Sequence, residues 1–285
     1  MIATVHQPNY LPYIGFFEKA ARADVFVIYD NTQYKRSDFQ NRNRIRTKEG
    51  WIWRTVPVQF ELGDRINQVR IDNKKNWMEK HWRSISFNYS NAPYFADYKD
   101  IFAGAYSRKE EFLSEFNIGL IKLIFSVLGI NTRLVIASEL MPLRSKGTQA
   151  LIDICKACGC DHYISGREGR YYLDQDLFEE QKITVEYQDF AHPVYKQVYA
   201  DFEPNMSVID LIFNCGPRSM EIVRQYQQGH QDQHCLGSRD LEKIDTGAVD
   251  VNVKGQPPRV MSQNNQLKFA SNFRNHLKTK LTTGC

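Results

Sequence analysis

Three features at the start of the chain predict an α/β fold with a mainly parallel sheet flanked by helices. Ile2–His6 is a short apolar segment, which predicts a strand ending at a polar turn. Residues 12–22 begin with Pro12 and place aromatic and alanine side chains at helical spacing. Residues 25–29 are apolar throughout, as in strands that are buried on both faces of a parallel sheet. A right-handed β-α-β unit of a Rossmann-like sheet is the default arrangement of these elements.

The alternation of strands and helices continues as far as residue 228. Short apolar or alternating segments predict further strands at residues 51–58, 66–71, 132–137, 162–165 and 183–187. Apolar side chains three and four residues apart predict further helices at residues 73–89, 109–128, 148–158, 208–213 and 219–227. Beyond this point polar residues accumulate and two prolines stand together, so residues 229–285 are predicted to form a flexible, polar to basic tail. We therefore expect one α/β domain over residues 1–228.

The net charge of +4, from 37 basic and 33 acidic residues, conceals two basic zones. Residues 35–48 hold six basic residues and one acid, and residues 256–285 hold five basic residues and no acid. Zones of this kind attract phosphate groups, whether of a nucleotide or of a nucleic acid.

A soluble, cytoplasmic protein without a metal site is expected. No apolar segment approaches the roughly 20 residues that span a bilayer, and the N-terminus lacks the basic and apolar regions of a signal peptide. Cys155, Cys158 and Cys160 stand close together, but only His162 lies nearby as a further ligand. Since a structural zinc site needs a second ligand pair at suitable spacing, the pattern argues against zinc and favours small buried side chains.

Polar clusters follow the first two predicted strands. His6-Gln7-Pro8-Asn9-Tyr10 comes after the first strand, and residues 30–35, from Asp30 to Lys35, come after the second. Ligands of open α/β sheets bind outside the carboxyl ends of the strands, beside helix N-termini that offer free N–H groups. A polar turn with a capped helix is the alternative interpretation of each cluster, but two clusters at one edge favour a site.

An arginine-rich segment follows at residues 41–46. In an extended conformation Arg42, Arg44 and Arg46 share one face. A guanidinium group can bind a phosphate through two parallel hydrogen bonds, so this face is predicted to hold a phosphate group. A charged edge strand that resists aggregation is the alternative.

Three further features carry weaker signals. His81 lies in an apolar helical stripe, where a core histidine is the usual interpretation. Residues 165–171, which include Gly166, follow a strand and match neither a Walker A loop nor a dinucleotide fingerprint. His192 lies in a polar, aromatic loop and is a candidate general base, although a single loop histidine is more often structural.

The sequence resembles the WbqC-like protein family over about residues 1–228. The resemblance rests on an ordered series of motifs: His6-Gln7-Pro8-Asn9-Tyr10-Leu11-Pro12, Gly15-Phe16-Phe17, Asp24-Val25-Phe26-Val27, Asp30, Gln33, Asn41-Arg42-Asn43, Gly50, Val56-Pro57-Val58, His81, Tyr89, Tyr163-Ile164-Ser165-Gly166, Tyr187, His192-Pro193-Val194-Tyr195, Gln197, Phe202 and Asp210. A more distant likeness connects residues 2–33 with class I synthetases and nucleotidyltransferases, without their His-x-Gly-His signature.

Because the family is associated with bacterial O-antigen and other surface-polysaccharide gene clusters, the resemblance implies a transferase acting on a nucleotide-linked amino sugar. An acyl or aminoacyl donor, such as acyl-CoA or a charged tRNA, is implied with it. His6 or His192 would remove a proton from the attacking amine, and Asp30 is a further catalytic candidate. Lys35, Arg42 and Arg44 would hold the diphosphate. Polar groups of the substrate would be oriented by Gln7, Asn9, Tyr10, Gln33, Asn41, His81, Gly166, Tyr195 and Gln197.

Two other functions remain open on the sequence. Residues 35–48, the tail and the aromatic side chains of Trp51 and Trp53 are compatible with binding of RNA or another nucleic acid. Nucleotidyl transfer from ATP or CTP with Mg²⁺ is compatible with the distant likeness, but a shared fold does not assign a reaction.

Overall fold

A computed structural model describes residues 1–140 and 145–237, with side chains described as far as residue 228. Its strands are β1 (Ile2–His6), β2 (Val25–Ile28), β3 (Arg42–Thr47), β4 (Gly50–Thr55), β5 (Val58–Gln59), β6 (Arg70–Ile71), β7 (Arg133–Ile136), β8 (His162–Ser165) and β9 (Thr184–Tyr187). Its helices are α1 (Ile14–Arg22), α2 (Trp77–Tyr89), α3 (Phe95–Ala105), α4 (Leu113–Leu128), α5 (Ala137–Leu140), α6 (Gly147–Ala157), α7 (Gln175–Glu180), α8 (Val208–Cys215) and α9 (Ser219–Gly237).

The main sheet has five strands in the order β7-β2-β1-β8-β9, and every neighbouring pair is parallel. The chain builds outward from β1 through β2 to β7 and then returns to the other side of β1 with β8 and β9. This reversal is the topological switch point of a Rossmann-like sheet. The predicted α/β fold with a mainly parallel sheet flanked by helices is therefore confirmed.

Helices cover both faces of this sheet. The pleat of β2 sends alternate apolar side chains to opposite faces, so each face needs a layer of helices to bury them. Phe26 and Ile28 belong to the larger core, where Phe16 of α1 and Phe125 of α4 pack against Phe26. The smaller core contains alternate residues of the same strand together with side chains of α6 and α7. Burial on both faces explains why the strand is uniformly apolar.

The segment between β2 and β7 departs from the predicted elements. Residues 42–47 and 50–55 form an antiparallel hairpin apart from the main sheet, and β5 and β6 form another small ribbon. Helix α3 was not predicted, and α4 begins at Leu113 instead of residue 109. Helix α9 continues to Gly237, past the predicted domain boundary at residue 228. The rest of the predicted tail, 238–285, lies outside the described residues.

Arg46 joins the β3–β4 hairpin to the loop before α8. Its fully buried guanidinium donates to the carbonyl oxygens of Gly50 at 2.7 Å and of Ala200 and Asp201, each at 2.6 Å. Its Nε donates to Gln197 at 3.3 Å. Buried polar groups need such partners, so Arg46 holds backbone in place and is not exposed to a ligand.

Asp210 of α8 continues this network. Its Oδ2 accepts hydrogen bonds from the Tyr195 hydroxyl at 2.7 Å and from Gln197 Nε2 at 2.8 Å. Burial raises the pKa of Asp210 to about 6, and hydrogen bonds from Tyr195, Gln197 and Tyr89 and the charge of Arg46 oppose the rise. Asp210 therefore ionises at a cost to the folded state.

Asp210→Asn is expected to reduce the pH dependence of stability. Because the folded pKa is raised, the contribution of Asp210 is fully present below pH 4 and is lost as the pH rises through 6. The difference in unfolding free energy between pH 4 and pH 7 should shrink by about 2 kcal/mol, which is most of the effect of a pKa moved from 3.8 to about 6. Urea unfolding at several pH values measures it, with exposed Asp100→Asn as the control. An unchanged profile would contradict the assignment.

Candidate functional site

A cleft of about 1450 Å³ opens at the carboxyl edge of the main sheet. We call it the carboxyl-edge cleft. It lies where β1 and β8 separate, since β1 pairs with β2 as far as His6 but with β8 only as far as Thr4. The switch point of an open α/β sheet is the usual place for a ligand. Helices α1 and α6 begin at this cleft, with Gly15 and Gly147 among its lining residues.

Five of the residues proposed from the sequence line this cleft although they lie far apart in the chain. These residues are His6, Gln7, Gln33, Lys35 and Gly166. They come from the ends of β1 and β8 and from the segment after β2, as expected for residues that follow parallel strands. The prediction that polar clusters at neighbouring strand ends share one edge therefore agrees with the geometry, whereas their roles remain proposals.

His6 is half-buried at the end of β1, with its ring against Phe16. Its Nδ1 lies 3.0 Å from the Gln7 carbonyl oxygen, so that atom is the N–H donor and Nε2 carries the lone pair. Burial and the charge of Lys19 lower the pKa of His6 to about 3, against the opposing effect of the Gln7 carbonyl. The imidazole is therefore neutral at pH 7.

Gln40 positions two of the cleft residues, and sequence reasoning missed it. Its Nε2 donates to Gln7 Oε1 at 2.7 Å, and its own Oε1 accepts from the Lys35 amide at 2.9 Å. The Gln40 carbonyl and the Pro8 carbonyl both accept from Asn117 Nδ2 at 2.7 Å. These bonds fix the loop after β1 against the segment after β2, and the amide of Gln40 is fully buried.

The lining of the cleft carries an excess of positive charge. Among the described residues that line it, the basic side chains are Lys19, Lys35, Arg65, Lys146 and Arg167, and Glu168 is the acid. Arg167 donates to Asp189 at 2.8 Å. Apart from Lys35, these cations were not proposed individually from the sequence. Lys19 had one available signal, because it stands three residues after Phe16 on the apolar stripe of α1.

Asp30 is buried beside the cleft rather than in its lining. Its Oδ1 accepts from the Ser138 amide at 3.0 Å, and its Oδ2 accepts from the Ser138 hydroxyl at 2.6 Å and from Asn67 at 3.3 Å. The carboxylate therefore ties the end of β2 to α5 and to the turn before β6. This use of both oxygens indicates a structural residue instead of the catalytic one expected from the sequence.

His192, Tyr195 and Gln197 also lie outside the lining of the cleft. His192 Nδ1 lies 2.9 Å from the Pro193 carbonyl, and its Nε2 accepts from the Asn205 amide at 3.1 Å, so neither nitrogen is available as a general base. Burial lowers the pKa of His192. Tyr195 and Gln197 serve the Asp210 network instead of a substrate.

Tyr10 and His81 meet in the larger core. The Tyr10 hydroxyl lies 2.9 Å from His81 Nδ1 and 2.5 Å from the Tyr106 hydroxyl, and Tyr10 is fully buried. Burial is the main cause that lowers the pKa of His81 to about 4, and the positive charge of Arg54 adds to the decrease. This is the core histidine that the apolar stripe indicated.

The remaining predicted binding residues are placed elsewhere. Asn41 is buried and donates to the Val56 carbonyl at 3.0 Å, while Asn9 is half-buried outside the cleft lining. The guanidinium of Arg42 lies 4.4 Å from the Trp53 ring centre, and that of Arg44 lies 5.0 Å from the Trp51 ring centre. The two arginines therefore cover the aromatic face of the hairpin and are not among the residues that line the cleft. Arg44 also donates to the carbonyl oxygen of Asn205 at 3.1 Å, and Asn205 does line it.

The three clustered cysteines are free thiols packed in the smaller core. Burial raises the pKa of Cys155 to about 12 and raises that of Cys158 and Cys160, so all three stay protonated. In the part of the chain that the structure describes, no three His, Cys, Asp or Glu side chains are grouped to hold a metal ion.

Among the helices of the described residues, none combines the length and the hydropathy that crossing a membrane requires.

Asp30→Ala is expected to lower the unfolding free energy by about 1–3 kcal/mol, because it leaves the Ser138 groups without their acceptor. Urea unfolding measures the loss, and exposed Asp100→Ala should change the value by less than about 0.5 kcal/mol. A protein of unchanged stability that has lost ligand binding would instead make Asp30 part of the site.

Comparison with known proteins agrees with the resemblance. A model of the WbqC-like protein family matches residues 7–222. The "Uncharacterized protein Rv1507c" of Mycobacterium tuberculosis is 38% identical over 226 residues, which cover 78% of this chain and 97% of that protein. No solved structure matches the chain significantly. Because the family model spans most of the chain and includes both sides of the carboxyl-edge cleft, the protein belongs to the WbqC-like protein family.

Proposed function

We propose that the protein is a transferase that binds a nucleotide-linked amino sugar in the carboxyl-edge cleft and modifies its amine by acyl or aminoacyl transfer. The observation that carries the proposal is the charge of the cleft, whose described lining holds five basic side chains and one acid, with Arg167 paired to Asp189 outside that lining. Low-molecular-weight anions are concentrated by such a lining. The association of the family with surface-polysaccharide gene clusters supports a role in their biosynthesis in the cytoplasm.

The cleft offers groups for each part of a nucleotide-linked sugar. Lys35, Arg65 and Arg167 are accessible at its surface and can bind a diphosphate. The first turns of α1 and α6 add N–H groups and the positive ends of their dipoles. Tyr172 presents an exposed ring on which a base or a sugar can stack. Since Arg42 and Arg44 lie on the hairpin, we assign the diphosphate to the cleft cations instead.

His6 is the remaining candidate for proton removal. In acyl transfer the amine nitrogen forms a bond to the donor's carbonyl carbon, the bond to the thioester sulfur or ester oxygen breaks, and the amine loses a proton. His6 Nε2 can accept this proton because Nδ1 is held by the Gln7 carbonyl. A pKa near 3 makes the free imidazole a weak base, and an anionic substrate beside it would raise that pKa.

Nucleotidyl transfer and RNA binding remain second candidates. The same cations would bind ATP or CTP, and release of pyrophosphate would reveal such a reaction. For RNA, the supporting observation is the exposed ring of Trp51 beside Arg44 on the hairpin. RNA affinity that is unchanged by moderate salt would exclude this mode of binding.

Arg65→Met is expected to weaken binding of a UDP- or dTDP-linked amino sugar by about tenfold, the loss of one charged contact of roughly 1.4 kcal/mol. Isothermal titration calorimetry measures the Kd, and Arg83→Met, which removes an exposed arginine of α2, is the matched control. If the wild-type protein binds none of these nucleotide sugars, the proposed function is wrong.

His6→Gln is expected to lower kcat by about 10²–10⁴-fold with little change in substrate affinity, because it removes the proton acceptor. Because the pKa of His6 is about 3, its protonation should not lower kcat/KM between pH 5 and 7. Single-turnover rates with acyl-CoA or charged tRNA as donor measure the effect, and exposed His162→Gln is the control. An unaltered rate in His6→Gln would exclude His6 as the base.

A further inference from the structure

Lys19 occupies an unusual position for a lysine, on the buried side of α1 with only 3% of its surface exposed. It belongs to the lining of the carboxyl-edge cleft, and its Nζ donates to the carbonyl oxygen of Val5 at 3.3 Å. An ammonium group has three N–H donors, and this single long bond uses one of them. The side chain therefore lines the cleft with further N–H donors that a ligand can use.

The positive charge of Lys19 has no carboxylate partner at ion-pair distance within residues 1–140 and 145–228. Its neighbour Glu18 instead accepts a hydrogen bond from Gln188 and is paired with Arg22. Burial lowers the pKa of Lys19 to about 8, against the attraction of Glu18, so the amine is still mostly protonated at pH 7. A buried charge without a carboxylate at ion-pair distance costs free energy, and a bound anion would reduce that cost.

The strand register explains why this charge lies at the switch point. Pairing between β1 and β8 ends at Thr4 and Ile164, whereas pairing between β1 and β2 continues to His6 and Ile28. The Val5 carbonyl therefore lies beside the split between the strands, and Lys19 is bound to it there. On the opposite side of the split, a Cβ atom added to Gly166 would meet no other heavy atom within 4 Å, so this side is open.

We propose that Lys19 binds a phosphate group of the ligand at the split between β1 and β8, where an anionic oxygen replaces the Val5 carbonyl as its partner. The outer cations Lys35, Arg65 and Arg167 would then hold the rest of a diphosphate. This inference deepens the proposed function and rests on it only for the identity of the ligand as a nucleotide-linked sugar. The chemical class it requires is a phosphate or a diphosphate.

Lys19→Met tests the proposal directly with pyrophosphate as the probe. Methionine fills a similar volume without the charge, so calorimetry should show pyrophosphate affinity reduced at least tenfold. Thermal unfolding should show a Tm equal to or above that of the wild type, because an uncompensated buried charge has been removed. The control is Lys122→Met, an exposed lysine of α4, which should bind pyrophosphate like the wild type. A folded Lys19→Met protein with unchanged pyrophosphate affinity would overturn the proposal.

A second measurement uses the wild-type protein and does not depend on the folding of a variant. The aldehyde of pyridoxal phosphate condenses with a lysine amine with loss of water, and borohydride reduces the imine to a stable secondary amine. Peptide mass spectrometry should find the label on Lys19, and pyrophosphate should prevent it. Pyrophosphate-sensitive labelling of Lys35 or Lys146 with Lys19 unmodified would overturn the proposal.

The two proposals fail in different ways. Pyrophosphate binding through Lys19, together with no binding of any nucleotide-linked sugar, would support this anion site and contradict the proposed function. Nucleotide-sugar binding that is retained in full by Lys19→Met would support the proposed function and contradict the role of Lys19.

Discussion

The arrangement of the site depends on the position of β1 at the centre of a parallel sheet whose strand order reverses beside it. Strand β1 keeps its pairing with β2 for two residues after its pairing with β8 has ended. Backbone groups at the end of β1 consequently lack one sheet neighbour, and the two strands leave space between them. Because parallel strands send their following helices back from the same edge, the N-termini of α1 and α6 meet this space. Backbone groups without a sheet partner and the positive ends of two helix dipoles therefore lie together at the carboxyl-edge cleft.

Buried polar networks hold the loops of this domain, and they account for Asp30, Tyr195 and Gln197, which the sequence had suggested for the site. Asp30 holds Ser138, Gln40 joins the loop after β1 to the segment after β2, and Arg46 and Asp210 hold the long loop before α8. Loops without regular structure expose backbone carbonyls and amides that must find partners when they are buried. Polar side chains in these segments therefore form hydrogen bonds with the protein's own backbone. The side chains that remain for a ligand are those of the cleft lining that have few hydrogen-bond partners within the protein.

Two side chains that line the cleft differ in their charge at neutral pH. Burial and a neighbouring cation keep His6 neutral, whereas Lys19 retains its charge near pH 7 despite burial. A neutral imidazole beside an uncompensated ammonium suits a ligand that carries both an anionic group and an amine to be deprotonated. In the proposed function, the exposed cations of the cleft would attract such a ligand, and the buried lysine would bind it where water is scarce. Membership of the WbqC-like family is consistent with this division of roles but does not specify the reaction.

Local patterns in the sequence determined the α/β class, the first β-α-β unit and the strand ends that carry His6, Gln7, Gln33, Lys35 and Gly166. These properties follow from periodicity and from the general rule that strand ends face ligands, which act over a few residues. Only the tertiary structure decided that Lys19, Arg65, Lys146 and Arg167 share one cleft, and that Arg42, His81, His192 and Gln197 do not line it. The physical reason is that a polar side chain takes its role from hydrogen-bond partners distant in the chain, which no local pattern specifies.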